Sequence, residues 1–473
     1  MIEHSSEGQL SSKCDLYLDG GVVVTLDEAR TVIDEGAVAI SGQRILAVGP
    51  SAELRSYRSE AGRVIDCAGK VLMPGLTDGH THLFQILGRG LGDGLSLVPW
   101  LQEFMFPYSK AVTSEMAVAG ARLGALQAVL SGTTTVVDNH YAPTDTATTL
   151  AIAGAIEEVG IRGAVARGVF GSTNPGADLM GVDPELFAWT ADEELAITLE
   201  CLTERPAGSL VEIWPAPENI VYVEPDLIVA CAELADRAGV GWHMHCAEVQ
   251  DEIGFFKTIH GIRPVAWLAK EGLLGPRTSL AHAIWLEPDE ILAMGQYRAT
   301  AVHNPISNQY LASGVLQLRP LLAAGANVAL GSDGSSVAGQ DIFEAMKSGV
   351  LLHRVDSRDP TATSVEQFLE LATLSGAAMT HFETGTLSPG ALADLVVLNV
   401  AKVRHTPWNR PVASVVLAAR AEDVETVIVA GDLVVERGRS TKVDEEEVRA
   451  EANVAAQRLI HNAGLSALTK NWS

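Results

Sequence analysis

The chain has 473 residues, of which 47% are hydrophobic and 44 are glycines, a composition typical of a globular α/β protein. Acidic residues outnumber basic ones by 59 to 33, and the resulting net charge of −26 would repel nucleic-acid phosphates and anionic membrane surfaces. We therefore expect neither a nucleic acid nor a membrane as a partner.

The opening segment MIEHSSEGQLSSK is polar and lacks the apolar core of a signal peptide, and no apolar run of the chain reaches membrane-spanning length. Five cysteines are scattered without a Cys-x-x-Cys pair, which favours reduced thiols over a disulfide frame. Both features predict a cytoplasmic protein.

Short β-rich runs occupy two regions at opposite ends of the chain. Residues 14–70 contain CDLYLDGGVVVTLD and GAVAISGQRILAVGP, and residues 384–440 contain VETVIVAGDLVVERGRS. Such runs, separated by glycine, aspartate and proline, are typical of strands joined by tight turns. We predict that the two regions together form a small β-sandwich domain.

Between these regions, residues 71–383 alternate helical patterns with buried strands. TSEMAVAGARLGALQAVLSG, for example, is followed directly by the β-rich stretch TTTVVD. This alternation predicts parallel βα units, and roughly 310 residues suffice for a closed (β/α)8 barrel of the TIM type. Residues 441–473 predict a C-terminal helix that Asp444 caps.

Residue types that bind metals follow several of the predicted barrel strands, at the ends where the active sites of such barrels lie. Because positions i and i+2 share one face of a strand, each His-x-His pair aims both rings at one point. Alone, each residue is equally explained as a buried histidine or a turn residue; together, three histidines and a carboxylate suit zinc or ferrous iron. The candidates are His80 and His82 in PGLTDGHTHLFQ, His243 and His245 in VGWHMHCAE with Glu248 beyond them, His282 in TSLAHAIW, and Asp333 in NVALGSDGSS.

With these motifs, the chain resembles the amidohydrolase superfamily and, within it, the cytosine-deaminase-like branch. The stretches that carry the resemblance are PGLTDGHTHLFQ, GTTTVVDNHY, HMHCAE, LAHAIWLEPDEI, HNPISNQYLASG, LGSDGSS and GTLSPGALADLVVL. The branch contains methylthioadenosine/S-adenosylhomocysteine deaminases, 8-oxoguanine and guanine deaminases, and s-triazine hydrolases. Members commonly form homodimers or larger assemblies, so a homo-oligomer is expected.

The resemblance also implies a role for each candidate. The metal ligands would be His80, His82, His245 and Asp333, and Asp333 would also take the proton of the attacking water. Glu248 would shuttle protons, and His282 would lie beside the reacting water without binding the metal. His243 is interpreted as a supporting or packing residue.

One feature bears on the number of metal ions. Binuclear members of the superfamily bridge two metals with a carboxylated lysine on a middle strand, whereas this chain has no lysine between Lys110 and Lys257. We therefore predict one divalent ion per chain, Zn²⁺, with Fe²⁺ as the alternative.

The predicted activity is metal-dependent hydrolytic deamination of a small nitrogen heterocycle of the purine, pterin or s-triazine type. An alternative is hydrolysis of a urea, a thiocarbamate or a halogenated triazine, which release of ammonia would distinguish. A third alternative, a non-catalytic binding protein with this fold, conflicts with an acid placed beside a complete ligand set.

Four residues are predicted to contact the substrate: Trp100, Ser109, Arg167 and His140. Trp100 lies in the glycine-rich and then aromatic segment 86–109, which has the composition of a lid, although helix packing explains its aromatic residues equally well. Arg167 occupies a position where nucleoside deaminases place a substrate-contacting arginine, with a structural ion pair as the alternative. His140 follows a strand-like run.

Two departures from the nucleoside deaminases concern the ribose. Those enzymes grip the ribose hydroxyls with a glutamate two residues after a proline, where FMFPYSKAVTSEM places Ser109. Relatives also carry Pro-His-x-Pro-Tyr, whereas here Ala216 follows Pro215. Because serine lacks the two charged acceptors that suit a cis-diol, we predict a substrate without ribose.

Overall fold

The computed structural model describes residues 13–337 and 339–469. Residues 1–12, which carry most of the polar opening segment, and residues 470–473 of the predicted tail lie outside this description. None of the described helices combines the length and the apolarity that crossing a bilayer requires.

The strands of the described residues are short, and most of them are buried. In chain order they are β1 (Leu16–Val24), β2 (Val32–Ser41), β3 (Arg44–Pro50), β4 (Arg63–Asp66), β5 (Lys70–Pro74), β6 (Leu76–His82), β7 (Thr133–His140), β8 (Arg162–Val169), β9 (Val211–Pro217), β10 (Trp242–Cys246), β11 (Thr278–His282), β12 (Thr300–His303), β13 (Asn327–Leu330), β14 (Asp333–Gly334), β15 (Leu395–Asn399), β16 (Val424–Val429), β17 (Asp432–Glu436) and β18 (Arg439–Ser440).

The helices lie mainly between the strands of the middle region. They are α1 (Arg55–Glu60), α2 (Leu97–Trp100), α3 (Phe106–Lys110), α4 (Ser114–Leu130), α5 (Thr146–Glu158), α6 (Pro175–Met180), α7 (Ala191–Glu204), α8 (Pro225–Ala238), α9 (Gln250–His260), α10 (Pro264–Lys270), α11 (Pro288–Tyr297), α12 (Pro305–Tyr310), α13 (Leu318–Ala324), α14 (Ile342–Ser357), α15 (Val365–Leu371), α16 (Leu374–Thr380), α17 (Pro411–Ala418) and α18 (Glu445–Asn462).

Both ends of the chain contribute to one nine-stranded mixed sheet. Its strands follow the order β18-β17-β16-β15-β5-β1-β2-β3, and β4 pairs with β1. The two ends meet where β15 runs antiparallel to β5, with Leu395 opposite Pro74. Strands from the two chain ends are therefore hydrogen-bonded into a single sheet.

The middle region forms two sheets in which every ladder is parallel. One has the order β14-β6-β7-β8-β9 and the other the order β10-β11-β12-β13. An isolated parallel bridge joins Asn219, just after β9, to His245 in β10, and β14 pairs with β6. All residues of β7 and β8 are buried, which is typical of parallel strands covered on both faces. The predicted α/β class with parallel strands is confirmed.

Side-chain caps fix where several helices begin. The Asp145 carboxylate accepts a hydrogen bond from the Thr148 N–H at the start of α5. Thr190 and Glu193 form a reciprocal capping box at the start of α7. Asp444 accepts from two N–H groups at the start of α18, as its position in the sequence predicts. The Arg122 guanidinium of α4 lies 2.7 Å from Glu451 and holds α18 against the middle region.

Candidate active site

Five polar side chains converge where β6, β10, β11 and β14 meet. Asp333 Oδ1 lies 3.1 Å from His80 Nε2 and 3.2 Å from His82 Nε2. The Nε2 atoms of His82 and His245 are 3.2 Å apart, and His282 Nε2 lies 3.6 Å from Asp333 Oδ2. All five side chains are buried. The two-residue repeat of β6 and the shared carboxyl edge of the parallel strands bring them together.

The backbone at two of these residues adopts the left-handed conformation that non-glycine residues rarely take. His282 has a φ of 71° and Asp333 a φ of 64°. Such conformations cost about 1–3 kcal/mol each and are concentrated at functional sites, where the surrounding packing enforces them. Here the backbone turns sharply at both residues, so that their side chains reach the same point.

Main-chain oxygens fix the tautomers of two histidines. His82 Nδ1 lies 2.6 Å from the oxygen of Asn139, and His245 Nδ1 lies 2.9 Å from the oxygen of Glu218. Because a carbonyl oxygen only accepts hydrogen bonds, both Nδ1 atoms carry the proton and both Nε2 atoms present lone pairs. These two lone pairs face each other across 3.2 Å.

A longer relay sets the tautomer of His80. Ser279 Oγ donates to the oxygen of Trp242 at 3.1 Å and therefore accepts from His243 Nδ1 at 2.7 Å. His243 Nε2 must then accept from His80 Nδ1, also at 2.7 Å, which leaves a lone pair on His80 Nε2. Burial lowers the pKa of both His80 and His243 well below the usual value, so both rings stay neutral. His243 thus orients His80.

These donors fit one divalent cation. Lone pairs that converge with no proton between them repel one another, and a bound cation removes this repulsion. Ligand atoms of His80, His245, His282 and Asp333 all lie within 4.8 Å of one another, and His82 Nε2 is 3.2 Å from two residues of that group. Imidazole nitrogens with one carboxylate oxygen suit zinc and similar ions.

A metal count tests this assignment. We expect one tightly bound divalent metal equivalent per chain after loading and desalting, because one set of converging lone pairs binds one ion. Elemental analysis against protein concentration measures it, and two tight equivalents would contradict it. His353→Gln is the matched control, because His303 and His353 form a separate buried pair, 3.0 Å apart, that should bind no ion.

Two acidic groups of the site are held in different protonation states. Burial raises the pKa of Asp333, but the neighbouring His282 imidazole lowers it, and the pKa lies well below the usual value. Burial, with repulsion from Glu252 and Asp333, raises the pKa of Glu248 well above the usual value. Asp333 is therefore ionised and Glu248 protonated near neutral pH, as separate proton-accepting and proton-donating groups require.

Glu248 is held in place from both sides. Ser313 Oγ donates to Glu248 Oε1 at 2.8 Å, and Glu248 Oε2 lies 3.4 Å from His282 Nε2. Glu252 Oε2 accepts from the Glu248 main-chain N–H at 2.6 Å, and Glu252 Oε1 accepts from Asn219 at 2.6 Å. Neither support was predicted from the sequence. Ser313 stands in the quoted motif HNPISNQYLASG, which was the available signal, whereas Glu252 had none beyond its place in a first helical turn.

A narrow cavity opens beside these groups. Trp100, one of the four predicted substrate contacts, is among the residues that line it. Among the described residues that line the cavity, none is a lysine or an arginine. The lining residues are His82, Gln85, Leu97, Trp100, Leu101, Tyr141, Glu218, Asn219, Tyr222, His245, Glu248, His282, Ser307, Leu311, Asp333, Gly334 and Val337.

The other three predicted substrate contacts lie outside this lining. Arg167 is fully buried, its guanidinium 2.7 Å from Glu194, and it donates to the Thr144 main-chain oxygen; this is the structural ion pair left open above. His140 packs against the Phe84 ring, and burial lowers its pKa to about 3. Ser109 is buried on α3.

Comparison with known proteins identifies the class of this site. Residues 71–434, more than half of the chain, match the amidohydrolase family. The chain belongs to the amidohydrolase family, which confirms the predicted resemblance. Residues 36–56 also match an imidazolonepropionase-like composite domain of bacteria.

Individual relatives cover nearly the whole chain. A 5'-deoxyadenosine deaminase of Methanothermobacter thermautotrophicus is 34% identical over 428 residues, covering 90% of this chain and 95% of the relative. A 5-methylthioadenosine/S-adenosylhomocysteine deaminase of Nitratidesulfovibrio vulgaris is 32% identical over 444 residues, covering 92% of this chain and 95% of the relative.

Solved structures give the same picture of the fold. A zinc-bound adenosine deaminase of Xanthomonas campestris superposes with a TM-score of 0.87 at 27% identity, covering 95% of this chain and 99% of that one. A zinc complex of an atrazine chlorohydrolase of Arthrobacter aurescens gives 0.85 at 24% identity, covering 93% and 100%. At 24% identity, the similarity to the chlorohydrolase shows only that the two chains share a fold.

Proposed function

We propose that the chain is a zinc-dependent hydrolytic deaminase that releases ammonia from a small nitrogen heterocycle of the purine type. One observation carries this proposal: the buried carboxyl groups of Glu248 and Asp333 lie 3.4 and 3.6 Å from His282 Nε2, beside a set of converging metal-ligand atoms. The names of the curated relatives, which are deaminases of adenine nucleosides, agree with this reaction. Zinc is the ion bound by the Xanthomonas campestris neighbour.

The site residues divide the chemistry between them. His80, His82, His245 and Asp333 would hold zinc, which would supply the Lewis acidity that makes water a nucleophile near neutral pH. The Asp333 carboxylate accepts the proton of the attacking water.

Glu248 acts on the ring of the substrate, and His282 acts on the attacking oxygen. Glu248 gives its proton to the ring nitrogen next to the attacked carbon, so that negative charge does not build up there. His282 Nε2, between Glu248 Oε2 and Asp333 Oδ2, orients the attacking oxygen by hydrogen bonding. When the carbon–nitrogen bond breaks, the proton accepted by Asp333 passes to the leaving amine and ammonia departs. The remaining hydroxyl proton of the adduct returns to the Glu248 carboxylate, which leaves a neutral lactam and restores the acid.

The proposal includes the architecture that presents this site. The two parallel sheets would close into one (β/α)8 barrel over residues 71–383, supported by the Asn219–His245 bridge and by the pairing of β14 with β6. Residues 14–70 and 384–440 would form the β-sandwich domain, with residues 441–473 as the C-terminal unit. A cytoplasmic location and a homo-oligomer of two or more chains rest on composition and on the family resemblance.

The proposed substrate has no ribose. Ser109, which stands where nucleoside deaminases of this branch carry a ribose-binding glutamate, is buried outside the cavity lining. Ala216 is likewise buried within β9. Neither position can grip a cis-diol. The alternative, deamination of an adenine nucleoside, is favoured by the names of the relatives.

A panel of substrates decides between a substrate without ribose and an adenine nucleoside. We expect kcat/KM for the best free base to exceed that for adenosine, 5'-deoxyadenosine, methylthioadenosine and S-adenosylhomocysteine by about 10- to 100-fold, since each missing charged hydrogen bond removes about 1.5–3 kcal/mol. The assay is ammonia release from these nucleosides and from purines, pterins and triazines. A nucleoside that surpasses every free base would restore the nucleoside assignment.

A further inference from the structure

The cavity contains a carboxylate that the reaction does not use. Glu218 follows β9 directly, is 4% exposed and lines the cavity together with Glu248 and Asp333. The Tyr222 hydroxyl donates a hydrogen bond to Glu218 Oε2. Glu218 Oε1 lies 3.4 Å from His245 Nδ1. The His245 ring alone therefore separates Glu218 from the nitrogen that would bind the metal, His245 Nε2. A substrate held at the metal centre is therefore within reach of Glu218.

Glu218 Oε1 retains the capacity to accept a hydrogen bond. The single proton on His245 Nδ1 is already directed at the Glu218 main-chain oxygen, at the shorter distance of 2.9 Å. A carboxylate has about four acceptor sites, and Tyr222 uses one of them. Both neighbouring groups are donors, so the carboxylate at the cavity wall can accept a hydrogen bond from a further donor.

The charges of the cavity point to the same kind of ligand. Of the three acidic side chains that line it, Glu248 is protonated and Asp333 would bind the cation, which leaves the Glu218 carboxylate with no lysine or arginine to offset it among the described lining residues. A phosphate or carboxylate on a ligand beside Glu218 would be repelled, because a buried charge without a partner is strongly unfavourable. A neutral ligand that donates N–H groups is complementary to this lining.

We propose that Glu218 determines specificity by accepting a hydrogen bond from a ring N–H of the heterocycle. This inference rests on the proposed function and narrows its substrate class to oxo-heterocycles that keep a lactam N–H, such as 2-amino-6-oxopurines. The adenine of a nucleoside offers no such group. Its N1, N3 and N7 atoms are acceptors, and N9 carries the sugar. Its only N–H bonds are those of the amine that departs. Glu218 therefore selects against adenine nucleosides.

The variant Glu218→Gln tests this role, because glutamine keeps the size of the side chain and replaces one acceptor oxygen by a donor. We expect kcat/KM for guanine to fall by about 10- to 100-fold, the range for a charged hydrogen bond, and kcat/KM for adenosine to change less than about three-fold. Zinc content should stay unchanged, because the main-chain oxygen of Glu218 orients His245.

Glu212→Gln is the matched control. It makes the same substitution on β9, the strand that precedes Glu218, and outside the cavity lining, where the amide oxygen can still accept from Trp214 Nε1. This variant should retain the wild-type kcat/KM for guanine. A loss in Glu218→Gln that is equal for guanine and adenosine, or that Glu212→Gln reproduces, would mean a structural role and overturn the inference.

N-methylated guanines add an independent comparison. In the wild type, methylation at N1, N7 or N9 should lower kcat/KM by about 10-fold or more for at least one position, and Glu218→Gln should shrink that difference to below about three-fold. A difference that persists in Glu218→Gln is steric and counts against the inference. If the zinc-loaded wild type deaminates adenosine but neither guanine nor pterin, the inference and the ribose-free substrate both fail, while the proposed zinc-dependent deamination stands. If it releases ammonia from none of them, the proposed function itself fails.

Discussion

Replacing Glu248 by glutamine is expected to lower kcat by about two to four orders of magnitude while the metal stays bound, the loss typical of a missing general acid. Glu248 keeps its proton near neutral pH because burial raises its pKa, and it donates that proton without binding the metal. Glutamine fills the same space and can still accept from Ser313 Oγ, but it has no acidic proton.

Steady-state ammonia release and metal analysis of the same desalted sample distinguish a proton donor from a metal ligand. Glu233→Gln, on the exposed face of α8, is the control that should leave both values unchanged. A Glu248→Gln protein that retained full turnover would contradict the assignment of Glu248 as the acid. A protein that lost its metal would require Glu248 to be a ligand.

Much of this site could be predicted from the sequence because its geometry is local. His80 and His82 share a face of β6 by the two-residue repeat of a strand, and the parallel order of the strands places His245, His282 and Asp333 at the same edge. Neither inference needs a contact between distant residues to be known in advance. The α/β class followed from the same periodicities.

The parts of the site that could not be predicted depend on contacts between residues far apart in the sequence. Arg167 has the same local sequence whether it faces a substrate or pairs with Glu194, and only the packing of α7 against β9 decides between them. The relay from Ser279 through His243 to His80 crosses three strands. Glu218 lies in the stretch where this chain departs from Pro-His-x-Pro-Tyr, but that departure does not indicate a cavity residue. Its place in the cavity became apparent only in three dimensions.

Replacing Asp333 by asparagine is expected to remove the metal and to lower activity by at least about 10² to 10⁴, because the site loses an anionic ligand and its proton acceptor together. Asparagine tolerates the left-handed backbone at this position, where Asp333 has a φ of 64°, so the fold should survive. Elemental analysis and ammonia release measure both losses. Asp236→Asn, on the exposed face of α8, is the control and should keep metal and activity.

A thermal measurement checks the same substitution without relying on activity. In the metal-free wild type, Asp333 Oδ1 faces two acceptor nitrogens, His80 Nε2 and His82 Nε2, at 3.1 and 3.2 Å. An amide N–H₂ in its place donates to those nitrogens and replaces repulsion by hydrogen bonds. Metal-free Asp333→Asn should therefore melt above the metal-free wild type, whereas the metal-loaded wild type should melt above both, because an ion that binds only the folded state stabilises it. If Asp333→Asn melted below the metal-free wild type, the lone pairs assigned to His80 and His82 would be wrong, and with them the argument that a cation belongs between these residues.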